Sequence, residues 1–85
     1  MYLLEFAPDW DRYLAKMDKS VQNQILNKIE KLMDLDKSAR HLRHGIPVFV
    51  IESGQYRICY EEKGNSRRVV FAGSHKQYGK WCRKQ

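Results

Sequence analysis

The sequence predicts an α+β domain in the order β–α–α–β–β–β, a small antiparallel sheet with a helical hairpin packed on one face. Three observations carry this. Apolar residues recur at helical spacing through roughly the first third of the chain. Residues 47–75 then hold three strand-like runs separated by Gly-containing turns. A length of 85 residues leaves room for a single domain, 1–85, with one modest core.

Tyr2–Phe6, rich in aromatic and aliphatic residues, reads as the first strand. Pro8 suits the first position of a helix, where its missing N–H costs nothing, and Asp9 and Asp11 suit the first turn beside the helix dipole. Trp10, Tyr13, Leu14 and Met17 follow at i, i+3, i+4 and i+7, one apolar stripe. After a short polar link, Ser20 is a good N-cap for a second helix over Val21–Leu35. Val21, Ile25, Ile29, Leu32 and Met33 lie on one face of it, with Leu26 beside them. Two helices so closely joined form an antiparallel hairpin.

Asp36–Gly45 is irregular and basic. Pro47–Glu52 is the second strand, and Ser53-Gly54 its turn. Gln55–Glu61 alternates, with Tyr56, Ile58 and Tyr60 on one face and Arg57, Cys59 and Glu61 on the other. Lys63–Ser66 turns again into Arg67–His75. Val69–Ala72 is apolar at every position, so this last strand is central and covered on both faces at least in part. The tail from Gln77 has length for one or two turns of helix. The sheet face away from the hairpin is expected to be open and to carry Arg57.

The net charge of +6 is unevenly spread. Residues 1–36 hold five Lys/Arg against seven Asp/Glu, whereas residues 37–85 hold eleven against three. From Lys63 onward there are seven basic residues and no acid. Such asymmetry points to an anionic partner for the C-terminal half, nucleic acid foremost. No run approaches the roughly 20 apolar residues of a membrane span, and the N-terminus lacks the pattern of a signal peptide. Cys59 and Cys82 match neither a disulfide framework nor a metal-ligand spacing and read as free thiols in a reducing cytoplasm. No metal or other cofactor is expected.

Val69–Trp81 carries the chemistry: an apolar strand that runs out into His75, Lys76, Tyr78, Lys80 and Trp81. RNA cleavage needs these residue types. The 2′-hydroxyl must lose a proton as it attacks phosphorus, the 5′-oxygen must gain one, and charge on the phosphorane must be stabilised. Histidine titrates near neutrality and can move either proton, while arginine and lysine supply the charge. Each residue also has an ordinary reading. Arg57 is either a surface salt-bridge partner of Glu52 or Glu61, or a fork for phosphate oxygens. His75 is either a solvated strand end or a proton-transfer group. Tyr78 and Trp81 either pack the tail onto the sheet or stack on a base. His41 and His44 are either loop histidines or a second proton-transfer group.

The strand order and three motifs resemble the RelE/ParE toxin superfamily over nearly the whole chain. Gly54-Gln55-Tyr56-Arg57-Ile58-Cys59-Tyr60 is similar to that family's "g-x-YRI-x-Y" strand. Gly73-Ser74-His75-Lys76-Gln77-Tyr78-Gly79-Lys80 is similar to the G-T-H-x-x-Y-x-K ending of the HigB- and YafQ-like branches, and His41-Leu42 with Gly45 resembles an H-x-L-x-G segment. The resemblance implies the toxin of a type II toxin–antitoxin system: a cytoplasmic endoribonuclease that cuts mRNA in the ribosomal A site without metal and is held inactive by an antitoxin protein. It implies phosphate binding for Arg57, proton transfer for His75, a catalytic place for His41 as the pre-strand histidine that some members use, and substrate positioning or stacking for Tyr78 and Trp81. Lys76, Lys80, Arg83 and Lys84 would then contact RNA backbone. The second strand, Val48-Phe49-Val50-Ile51, lacks the lysines of the best-known RelE enzymes, which shifts the expected base to a histidine. The ParE branch shares the fold but inhibits DNA gyrase. A gyrase inhibitor, or a non-toxic basic nucleic-acid-binding module, is therefore the alternative.

Overall fold

The computed structural model describes residues 2–34, 40–41 and 48–84. Its elements are strand β1 (Leu3–Phe6), helix α1 (Lys19–Glu30), strands β2 (Arg40–His41), β3 (Phe49–Ser53), β4 (Tyr56–Lys63) and β5 (Ser66–Ser74), and helix α2 (His75–Arg83). The irregular segment expected over 36–45 lies outside the described residues apart from the two-residue β2, and so does His44.

The expected α+β class is what forms, on a mixed sheet of order β1-β5-β4-β3-β2. The three pairings from β2 through β5 are antiparallel, and two of them, β3–β4 and β4–β5, are closed by the Gly-containing turns. The first strand departs from an all-antiparallel sheet: β1 pairs with β5 in parallel, Leu3 opposite Ser66 and Phe6 opposite Val69. Parallel pairing needs a long crossover, and nearly the whole chain separates these two strands. Strand β5 is thus interior, as its unbroken apolar run predicts.

The expected first helix does not form. Trp10 N–H donates to the Ala7 carbonyl at 3.2 Å, with Pro8 and Asp9 between them and Asp9 at φ 63°. That is a type II turn, with Pro at its second position and a left-handed residue at its third. A left-handed Asp9 cannot itself belong to a right-handed helix, and the chain after it runs through turns to a short 3-10 segment at Leu14–Lys16. The apolar stripe is consequently split. Trp10, Leu14 and Met17 join the core on the α1 face of the sheet, while Tyr13 packs against the opposite face. Helix α1 begins two residues before the expected start, with Asp18 as its cap, and ends in a 3-10 turn at Lys31–Met33.

Two apolar clusters sandwich the sheet. On the α1 face, Ile25, Ile29 and Leu32 pack on Ile51, Ile58, Tyr60, Val69 and Ala72. On the other, Val48, Val50, Cys59 and Phe71 pack with Cys82 of α2, flanked by Tyr78 and Trp81. The face expected to be open is therefore partly covered by α2. A β-bulge helps. Cys59 pairs with Phe71 but Tyr60 with Val69, so Val70 is an extra residue and both Val70 and Phe71 turn toward α2. Among the described residues, no helix is long and apolar enough to cross a membrane.

Arg67 is buried at 1% exposure yet is fully used. Its Nε donates to Glu62 Oε1 at 2.9 Å and its Nη1 to the Leu32 carbonyl at 2.7 Å. The guanidinium also lies 3.7 Å from the Tyr2 ring centroid. It thereby ties the end of α1, the first strand and the β4–β5 hairpin together, satisfying a carbonyl that the helix end leaves unpaired.

Candidate functional site

The β3–β4 hairpin closes through Gly54 and Gln55, with Gly54 at φ 62°, so Ser53 pairs with Tyr56 and Glu52 with Arg57. Arg57 in turn pairs with Gly73 on β5. Strand alternation puts Arg57 on the same face as Cys59, the face that α2 covers. Gly73 has a steric reason to be glycine. A Cβ there would lie 2.8 Å from both the Phe71 ring and Gln77 Oε1.

Gln77 is held because it completes a capping box. Ser74 N–H donates to Gln77 Oε1 at 2.9 Å, and Gln77 N–H donates to Ser74 Oγ at 3.2 Å. This fixes where α2 starts and sets His75 at its first position. The tail is therefore a nine-residue helix, longer than the one or two turns its length suggested.

Four expected or adjacent groups meet here. The Arg57 guanidinium lies over the Tyr78 ring, 4.5 Å from its centroid. Arg57 Nε is 3.5 Å from Glu52 Oε2, and the same oxygen is 3.6 Å from His75 Nε2. The Arg57 side chain is 25% exposed, and its Nε is buried without a hydrogen-bond partner among the described residues. The 3.5 Å approach is an ion pair that lacks hydrogen-bond geometry. His75 is half exposed. The site thus presents a cation on an aromatic platform, a carboxylate between that cation and an imidazole, and open solvent beyond.

Tyr78 is not a base in this setting. Burial, together with a hydrogen bond to Cys82 and the nearby thiols, pushes its phenol up to about 12, against a smaller opposing pull from Arg57. It stays protonated at neutral pH and holds the guanidinium in place. Cys59, behind it, is pushed up further by burial.

Other expected residues are distributed differently. Lys76, Lys80 and Arg83 are exposed and recur at helical spacing along α2, forming one basic stripe. Trp81 does not share that stripe. It stacks on Phe71, with centroids 5.1 Å apart, in the packing role that was one of its two readings. Lys84 follows the helix end. His41 stands on β2 opposite Phe49, three residues along β3 from Glu52, and its side chain lies outside the described residues.

Glu52 is the participant that sequence reasoning treated only as a salt-bridge partner. The hairpin register was the signal for it. A two-residue turn on Gly54-Gln55, instead of Ser53-Gly54, places Glu52 beside Arg57 directly. Among the described residues no three His, Cys, Asp or Glu side chains converge on a position for a metal.

No family model and no curated protein matches the chain at the level of sequence. Solved structures do match. A chain of the intact E. coli RelBE toxin–antitoxin complex superposes with a TM-score of 0.70 at 22% identity, covering 87% of this chain and 96% of that one. The chain has the RelE fold. A chain of the RelB–RelE antitoxin–toxin complex from Methanococcus jannaschii superposes with a TM-score of 0.68 at 15% identity, over 91% of this chain and 96% of that chain. The isolated E. coli RelE toxin gives 0.61 at 23% identity, over 99% and 98%. The likeness spans most of the chain in each case.

Proposed function

We propose that this chain is the toxin of a type II toxin–antitoxin pair and acts in the cytoplasm as an endoribonuclease on mRNA in the ribosomal A site. One observation carries the reading: Arg57, without a hydrogen bond at Nε among the described residues and braced on Tyr78, faces a carboxylate shared with His75. The RelE fold of solved toxin–antitoxin complexes supports it at the level of architecture.

In this scheme the Arg57 fork binds the scissile phosphate and stabilises the charge that grows on it. His75 takes the proton of the 2′-hydroxyl as that oxygen attacks phosphorus. Glu52 then stabilises the imidazolium through Nε2 and holds the ring's orientation, as a carboxylate does for histidine bases generally. The P–O5′ bond breaks, leaving a 2′,3′-cyclic phosphate, and the 5′-oxygen takes up a proton from His41 or from the Lys76 ammonium. One proton is lost and one gained, and no step calls for a metal. Lys76, Lys80 and Arg83 hold the backbone of the message or of ribosomal RNA, and an antitoxin masks the basic face.

Primer extension on mRNA in a translation extract tests this. Wild-type protein should create new 5′ ends, and Arg57→Ala combined with His75→Ala should abolish them. Intact mRNA with wild-type protein, or undiminished cutting by the double variant, rules the nuclease out. Intact mRNA together with gyrase-trapped DNA would assign the chain to gyrase inhibition instead.

A further inference from the structure

On the same sheet face, beyond Phe71 from the Arg57–Tyr78 pair, a cleft of about 180 Å³ opens between the Ala7–Trp10 turn and the end of α2. Its walls include Asp9, Arg12, Tyr13, Phe71, Trp81 and Lys84. We propose that this cleft binds one nucleotide of a single RNA strand, its base against the aromatic wall and its phosphate between Arg12 and Lys84. This rests on the reading of the chain as an RNA-binding enzyme and assigns it a subsite outside the reacting centre.

The chemistry of the walls selects the ligand. Phe71 organises an aromatic cluster, its ring centroid 5.7 Å from Tyr13 edge-on and 5.1 Å from Trp81 in a stack. Tyr13 and Trp81 are both part-exposed and line the cleft. A flat base stacks on such a surface whatever its sequence. Arg12 and Lys84, both exposed, supply positive charge at the rim.

Asp9 adds an acceptor for base N–H groups, and its backbone marks the position as unusual. It is the one described residue other than glycine with positive φ, at a turn position that Gly or Asn fills with less strain. An aromatic wall with one acceptor and two cations suits a nucleotide better than a purely apolar side chain, which leaves three charged groups without a purpose. The cleft also adjoins the site through continuous rings. Phe71 is 6.2 Å from Tyr78, and Tyr78 carries Arg57.

The chain has two tryptophans, so Trp10→Phe leaves Trp81 as the sole indole reporter. Titration of that variant with the four nucleoside 5′-monophosphates should quench Trp81 fluorescence saturably, and Arg12→Ala with Lys84→Ala should weaken binding at least tenfold. Equilibrium dialysis of labelled nucleotide with the wild-type chain reads the same affinity without relying on the Trp10 substitution. No saturable binding in dialysis, equal quenching by inorganic phosphate, or unchanged affinity in the double variant would each overturn the proposal. So would displacement of nothing by single-stranded RNA but capture of an acidic, aromatic peptide. The two readings fail separately. Nucleotide binding without any mRNA cleavage sinks the nuclease and keeps the cleft. Cleavage whose KM ignores Arg12→Ala with Lys84→Ala sinks the cleft and keeps the nuclease.

Discussion

Arg57 and Arg67 stand on adjacent strands, each against a tyrosine ring, and do opposite things. Arg67 is buried with its donors spent on Glu62 and the Leu32 carbonyl. Arg57 keeps a quarter of its side chain exposed, and its buried Nε approaches Glu52 without a hydrogen bond among the described residues. Replacing Arg67 with Ala should cost about 3 kcal/mol, because a buried pair is broken and a helix-end carbonyl is orphaned; urea denaturation reads this. Arg57→Ala should leave the urea midpoint nearly unchanged and abolish mRNA cleavage, and Arg57→Lys should restore little of it, since a point charge cannot replace the planar fork. Glu52→Gln should slow cleavage by about 10-fold to 100-fold, no more than the lower end of the roughly 100-fold to 10,000-fold that a proton-transfer group itself contributes, because Glu52 acts through His75.

At the scale of elements, α2 is decisive, and its start is specified by four residues, Gly73, Ser74, His75 and Gln77. Ser74→Ala removes the accepting hydroxyl of the capping box and should cost about 1 kcal/mol. Gly73→Ala should cost about 1–3 kcal/mol, because its Cβ meets the Phe71 ring and Gln77 at 2.8 Å, an overpacking that the buried Phe71 ring resists and that Gln77 relieves only by leaving the cap. Both are read by thermal denaturation, and a neutral result for Gly73→Ala would mean that the cap is not tightly held. The Ala7–Trp10 turn offers the reverse case. Asp9→Gly relaxes a left-handed residue and should stabilise the fold by about 0.5–1 kcal/mol.

Across the whole molecule, charge and burial set the responses to salt and pH. Lys76, Lys80 and Arg83 form an exposed stripe, so each Ala substitution should weaken binding to single-stranded RNA and reduce the slope of log K against log salt by about 0.7. Alkaline stability follows from buried acids. Cys59 and Tyr78 are both raised above their ordinary values of 9.0 and 10.0. The unfolded chain thus loses these protons first, and unfolding gains from each deprotonation. Their stabilising effect is complete below about pH 9 and is lost as pH rises through the folded-state values, by at most about 1.4 kcal/mol per pH unit for buried Cys59 and by less for the more exposed Tyr78. Urea midpoints measured from pH 7 to pH 11 should therefore be flat and then fall, with a shallower fall in Cys59→Ala.

The sequence by itself determined the α+β class, the interior position of Val69–Ala72, the alternation that sends Arg57 away from Tyr56 and Ile58, and the basic run after Lys63. Each is local, carried by a period of two or by composition, and survives any tertiary arrangement. Tertiary structure decided the rest. The Trp10–Met17 stripe is a helical pattern, yet one left-handed Asp9 overrides it, and only the sheet edge sorts Tyr13 from Leu14. Parallel pairing of β1 depends on a partner some sixty residues away. The meeting of Glu52, Arg57, Tyr78 and His75 needs a hairpin register and a helix cap at once. Contacts set by the joint geometry of distant elements leave no period in the chain, and the candidate site is made of such contacts.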